Sequence, residues 1–159
     1  MNSSKTKIKS EINEWQKKLF NVSLRRKNKF SKINSFIKNT TNLKVLEISS
    51  GDAVLSQKLK ENHSNWTSIT INEIASKSLS YFFKDKVEFI ENNHIPFSDG
   101  EFDLLIIVDC LKNITNDYEF IQECHRIINS EGCVIISERK RYTGSLIALL
   151  QYMFKTGPT

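Results

Sequence analysis

Glycine and proline are scarce in this chain of 159 residues, which has five of the first and two of the second. That scarcity excludes a collagen-like, Pro-rich or Gly/Ser-linker protein. No apolar run approaches the ~20 residues of a membrane-spanning helix; the longest candidates are Leu104–Val108 and Ser145–Phe154. Cys110, Cys124 and Cys133 are odd in number and lack close ligand spacing, which argues against a disulfide framework and a cysteine-based zinc site. His63, His94 and His125 stand apart without partners at metal spacing, so no metal is assigned. The N-terminus lacks the basic, apolar, small-residue order of a secretory signal. These absences point to a reducing, cytoplasmic compartment. What is present, 39% hydrophobic residues in this length, is enough for one domain with a real core.

The net charge of +5 hides an asymmetry. Residues 1–44 carry twelve Lys/Arg against Glu11 and Glu14, a net +10, and the remaining 115 residues hold eleven basic and sixteen acidic groups, a net −5. Within this basic arm, Ile8, Ile12, Trp15, Leu19 and Val22 recur at helical steps, and Phe30, Ile33, Phe36 and Ile37 repeat the pattern before the polar break at 39–42. Two amphipathic helices over 1–42 are expected. Three uses of the arm stay open: packing on the following domain, docking on a membrane surface with Trp15 and Phe20 as anchors, or phosphate contact with nucleic acid, the least favoured. Peripheral membrane contact is therefore carried forward. Arg25-Arg26-Lys27 is the densest charge cluster.

After Asn42 the pattern becomes an alternation. Strands are expected at Leu43–Ser49, Trp66–Ile71, Val87–Ile90, Phe102–Val108 and Cys133–Ser137, with helices at Ala53–Asn62, Ile74–Phe83 and Asp117–Asn129 between them. Asn116 is the expected N-cap of the last of these helices. Phe102–Val108 is almost uninterrupted in apolar residues, as suits a strand buried on both faces. Strands separated by helices mean an α/β fold with an open parallel sheet over 43–140, and a final apolar helix is expected at Thr143–Phe154, within a C-terminal helix and tail over 141–159. Ligands of such sheets sit beyond the carboxyl ends of the strands, above the first strand-to-helix turn, here Glu47-Ile48-Ser49-Ser50-Gly51-Asp52-Ala53.

From Val45 onward the text resembles motif I of class I S-adenosylmethionine-dependent methyltransferases, an acidic residue followed by glycines at alternating positions. Ile95-Pro96-Phe97-Ser98-Asp99-Gly100-Glu101-Phe102-Asp103 is similar to the "LPF-D-x-x-FD" stretch of the methyltransferase type 11 branch. The segment 109–114 resembles one that usually ends in Leu-x-His-Ile, with Asn113 in place of the histidine. The stretch from Glu123 to Gly132, containing Arg126, resembles "E-x-x-R-v-L-k-p-g-G". The resemblance covers about 43–140. It implies a Rossmann-like doubly wound sheet of five strands in the order 3-2-1-4-5, here lacking the family's usual C-terminal antiparallel hairpin, and S-adenosylmethionine as cofactor.

By that resemblance the cofactor-binding candidates are Glu47 and Gly51, with Ser49 and Ala53 standing where the family has glycines. A non-Gly residue forced to positive φ costs roughly 1–3 kcal/mol, so two such sites would weaken binding by about 30-fold to well over 1,000-fold, whereas Ser and Ala, the mildest replacements, cost little if φ stays negative. At the end of the second strand Thr70 holds the place of the ribose-binding acid, and Glu73, 22 residues after Gly51, is the alternative; Glu73 also suits a helix N-terminus. Near adenine, Asn92 lies among Glu91, Asn92 and Asn93, where the family's aspartate has no clean equivalent. Asp109, after the fourth strand, is the candidate catalytic base, with Glu138 weaker. Cys110 reads as core rather than nucleophile.

The expected function is methyl transfer from S-adenosylmethionine to a small-molecule or saccharide- or lipid-linked acceptor. The alternative is a catalytically degenerate binding or assembly protein of the same fold, docking to membrane or nucleic acid through its arm. An uncovered fifth strand would form a homo-oligomer through its edge.

Overall fold

The structure is a computed structural model that describes residues 14–83, 86–91 and 93–138. The expected residues Ile8, Ile12 and Asn92, and the helix at 143–154, lie outside that range. Among the described residues, helix spans 14–22 (α1), Leu24–Ile37 (α2), Ala53–Lys60 (α3), Glu73–Phe83 (α4) and Asp117–Ile127 (α5). Strands are Val45–Ser49 (β1), Trp66–Thr70 (β2), Phe102–Val108 (β3) and Ile128–Ser137 (β4), and Leu111–Asn113 forms a short 3₁₀ turn.

The strands pair in parallel in the order β2-β1-β3-β4. The expected five strands are thus four. Residues 87–90 do lie beside β2, but they touch it only where β2 ends: Thr70 N donates to Glu88 O (3.1 Å) and Ile90 N to Thr70 O (2.8 Å), one bridge opposite Phe89. The pairing does not extend back along β2; α4 holds Val87 instead, whose N–H donates to Ser80 Oγ (2.8 Å) and whose carbonyl accepts from Ser76 Oγ. The last strand also differs. It begins at Ile128, directly after α5, where a turn at 130–132 was expected. Phe102 pairs with Ile128 and Leu104 with Cys133, so a single β3 residue faces four on β4 and the expected turn becomes a bulge inside the strand. Gly132 sits in that bulge, where a Cβ would collide with the Ile128 side chain.

Strand alternation builds a core on each face of the sheet. Leu46, Ile48, Ile69, Leu105 and Ile107 pack against Phe120, Ile121, Cys124 and Ile127 of α5. Val45, Leu104, Ile106 and Val108 pack against α3 and α2, through Val54, Leu55, Leu59, Ile33 and Ile37. The basic arm is therefore half core: α2 buries Ile33 and Ile37 and half-buries Phe30, while Phe36 is 70% exposed. In α1 the expected stripe is displaced. Phe20 is buried, whereas Trp15 and Val22 are 61% and 77% exposed.

Caps mark where the helices begin. Ser23 Oγ accepts from Arg26 N and Asp52 Oδ1 from Leu55 N, both at 3.3 Å. Asn72 Oδ1 accepts from Ala75 N at 2.8 Å, and Asn116 Oδ1 from Glu119 N at 3.3 Å, as expected for the start of α5. Among the described residues no helix is long and apolar enough to cross a membrane.

Candidate functional site

β1 and β3 end side by side, and their carboxyl ends open into a cavity of about 360 Å³. The Ser50-Gly51-Asp52 turn forms one wall, and Asp109, Lys112 and Glu138 form another. The first turns of α2 close it with Ser23, Arg25, Arg26 and Lys29. The turn is fixed from both sides. Ser50 N donates to Val108 O across the sheet (3.2 Å), and Gly51, at φ +96°, approaches Ala75 of α4 so closely that a Cβ would lie 2.8 Å from the Ala75 Cβ. Only glycine satisfies both the dihedral and the contact.

Asp109 is the other special backbone position. It has φ +50°, a left-handed conformation that Asp tolerates better than most residues, and its N–H donates to Ser137 O at 3.0 Å. Its Oδ2 pairs with Lys29 and lies 3.8 Å from Arg25. Its Oδ1 is buried without a hydrogen-bond partner. Arg26 pairs with Asp52 at 3.2 Å. Glu138 Oε1 accepts from Leu111 N at 2.8 Å.

The other sequence-derived candidates are spread around this cavity rather than lining it. Glu47 is fully buried under the sheet's helical cover, accepting from Ser56 Oγ (2.5 Å), Ser68 Oγ (2.8 Å) and Trp66 Nε1 (3.4 Å). Burial pushes its carboxyl up in spite of those donors. Ser49 is buried behind the turn, and its Oγ has no partner. Ala53 opens α3 and packs its methyl group beside Leu79 and Val87. Neither Ser49 nor Ala53 has positive φ; among the described non-glycine residues only Asn93 and Asp109 do. The expected strain at the two replaced glycines is therefore absent, because the chain turns at Gly51 alone. Thr70 donates its hydroxyl to Asn72 O (2.9 Å), and Glu73 is exposed and paired with Lys77 at 2.6 Å.

Cys110 is core: it is fully buried, its Sγ lies 3.7 Å from Ile48 O, and burial pushes its thiol well up, away from the reactive thiolate. No group of three or more potential metal ligands exists among the described residues. Sequence reasoning missed Arg26, Lys29 and Lys112 as site residues. The signal for the first two was in the arm's charge excess, but the arm's place over β1 and β3 follows from burial of Ile33 and Ile37.

A family profile described as "Methyltransferase domain" matches residues 46–136. A curated relative, the ubiquinone/menaquinone biosynthesis C-methyltransferase UbiE of Hahella chejuensis, is 26% identical over 72 residues, 44% of this chain and 29% of that protein. The chain thus spans under a third of the length of that relative. Among solved structures, a TehB-like S-adenosylmethionine-dependent methyltransferase from Corynebacterium glutamicum superposes with a TM-score of 0.65 at 12% identity, covering 93% of this chain and 83% of the other. The trans-methyltransferase CalH, in complex with S-adenosylhomocysteine, superposes with a TM-score of 0.52 at 19% identity, covering 76% and 39%.

Proposed function

Because the chain belongs to the methyltransferase-domain family, we propose that it transfers a methyl group from S-adenosylmethionine to a small-molecule or saccharide- or lipid-linked acceptor. The amino-acid end of the donor belongs in the cavity between the Gly51 turn and Asp109. One observation carries this reading: the buried, unpartnered Oδ1 of Asp109. A buried acceptor left unpaired costs about 1–3 kcal/mol, and an ammonium N–H is the kind of donor it lacks. Arg26 and Lys29 supply counter-charge for a carboxylate beside it. The residues present therefore fit the amino-acid end of the donor.

The adenosine end finds no apolar side chain lining this cavity and belongs along the ends of β1 and β2. Thr70 and Glu73 are the ribose-side candidates there. Glu73 is held only by an exposed pair of the i,i+4 kind, worth about 0.3–0.5 kcal/mol, which does not keep its carboxylate from a ribose. Glu47 serves from beneath, tying α3 to β2 through Ser56 and Ser68. S-adenosylmethionine brings its own leaving group, so the chain's residues have mainly to bind and align. Asp109 suits that task better than proton removal, since Lys29 pairs with its Oδ2 and the donor's ammonium would take its Oδ1. Where the acceptor needs a base, Glu138 is the nearer fit, with Oε2 free of hydrogen bonds to described residues.

A catalytically silent role drew its support from the missing hairpin and from strain at Ser49 and Ala53, and neither of those residues is strained. The test is calorimetric titration of the full chain with S-adenosylhomocysteine. Micromolar binding is expected; a folded chain that fails to bind at millimolar ligand overturns the reading.

A further inference from the structure

The donor reading leaves two cations at the cavity unused. We propose that Arg25 and Lys112 form an anion subsite that recognises a carboxylate or phosphate group on the methyl acceptor, a proposal that rests on the donor reading for the acceptor's place. Seven charged groups line the cavity: Arg25, Arg26, Lys29 and Lys112 against Asp52, Asp109 and Glu138. Arg26 is matched by Asp52 and Lys29 by Asp109. Glu138 is turned to the Leu111 N–H. Arg25 lies 3.8 Å from an Asp109 oxygen that Lys29 already holds, and it is more than half exposed. Lys112 is exposed and makes no ion pair with a described residue.

These two cations come from different elements, the first turn of α2 and the 3₁₀ turn after β3, and converge on one cavity. The first turn of α2 has no acidic residue and carries Arg25, Arg26 and Lys27. That is the reverse of what a helix N-terminus favours, since its unpaired N–H groups already present positive charge. An anion at the cavity mouth turns this local penalty into a favourable contact. A neutral sugar or apolar acceptor gains nothing from it. The acceptor's anionic group is therefore the chemistry that this mouth recognises, whether carried by a soluble molecule or by a lipid headgroup.

The probe is inorganic phosphate, titrated at low ionic strength into the full chain, alone and saturated with S-adenosylhomocysteine, and followed by amide NMR shifts. Phosphate is expected to bind in the millimolar range and to shift the amides of Arg25, Arg26 and Lys112. Binding should weaken about tenfold or more in the Arg25→Gln/Lys112→Gln variant. It should hold in Lys32→Gln/Lys38→Gln, which alters exposed lysines outside the cavity. S-adenosylhomocysteine affinity should stay within about twofold in both variants. A parallel arm uses phosphatidylglycerol vesicles. Vesicle binding that depends on the same two residues assigns the anion to a lipid, and its absence beside phosphate binding assigns it to a soluble acceptor. Phosphate affinity unchanged in the first variant overturns the subsite. So does a tenfold loss of S-adenosylhomocysteine affinity there, which would give both cations to the donor. If the wild-type chain binds no S-adenosylhomocysteine, the donor reading fails, while the ligand-free phosphate titration still decides the subsite.

Discussion

Restoring the family's glycines is the sharpest way to separate strain read from a motif from strain present in the backbone. If Ala53 were held at positive φ, Ala53→Gly would release about 1–3 kcal/mol and tighten donor binding by tenfold or more. The structure reverses that expectation. Ala53 is the first residue of α3, its φ is not positive, and it is 1% exposed, packed with Leu79 and Val87. Removing a buried methyl costs about 0.8 kcal/mol in transfer free energy. Glycine's extra backbone freedom adds up to about 0.5–1 kcal/mol, less in a first turn. The variant should therefore lose about 1–2 kcal/mol of stability. At about 2–4 °C per kcal/mol for a domain of this size, Tm falls by roughly 2–8 °C. Urea denaturation measures the first quantity. Calorimetry with S-adenosylhomocysteine measures affinity, in this variant and in a second that adds Ser49→Gly. Affinity within about threefold of wild type is expected. A gain of tenfold or more would refute the reasoning, because about 1.4 kcal/mol of strain would then have been stored at the turn.

Ser49→Ala should raise stability by about 1 kcal/mol in urea denaturation, since it removes a buried hydroxyl without a partner; a loss would mean that the hydroxyl is bonded. Arg126→Met should cost about 2–4 kcal/mol, read by thermal denaturation. It removes donors to the Ile95 and Phe97 carbonyls (2.9 and 2.7 Å), to Asp99 (2.8 Å) and to both oxygens of Glu123; a change below 1 kcal/mol would show that the 95–99 loop is held otherwise. The Arg126 guanidinium holds the Glu123 carboxyl down at about 2, against an ordinary 4.5. Its contribution is whole above about pH 4.5 and is lost as pH falls towards 2, about 1–3 kcal/mol that acid titration of stability should show and Glu123→Gln should abolish. Glu47 acts in the opposite sense. Burial raises its carboxyl, so its contribution is whole in acid and is lost as pH rises through the raised value. Glu47→Gln should therefore gain most stability on the alkaline side.

Local pattern made the α/β order legible. Phe102–Val108 is a strand at the expected bounds because its run of apolar side chains serves both faces at once, and Asp117 opens α5 because Asn116 caps it. The Gly51 turn was legible too, since the backbone there needs a residue without a Cβ. What local pattern could not convey was pairing. Residues 87–90 have strand composition yet form one bridge to β2, while Ser76 and Ser80 of α4 hold Val87, and the 130–132 turn became a bulge once Ile128 found Phe102 across the sheet. Trp15 and Val22 have helical spacing, but Phe20 is the side chain that reaches the core.

The site divides the same way. By itself the sequence determined the family, the alternation of strands and helices and the turn at Gly51, because each depends on side-chain types at short separations. Tertiary structure alone decided which charges meet there. Arg25 and Lys29 are some eighty residues from Asp109 in the chain, and they reach it because α2 buries Ile33 and Ile37 against β1 and β3. The ion pairs, the enclosed Asp109 oxygen and the unmatched cations at the mouth are consequences of that packing, which no spacing along the chain encodes.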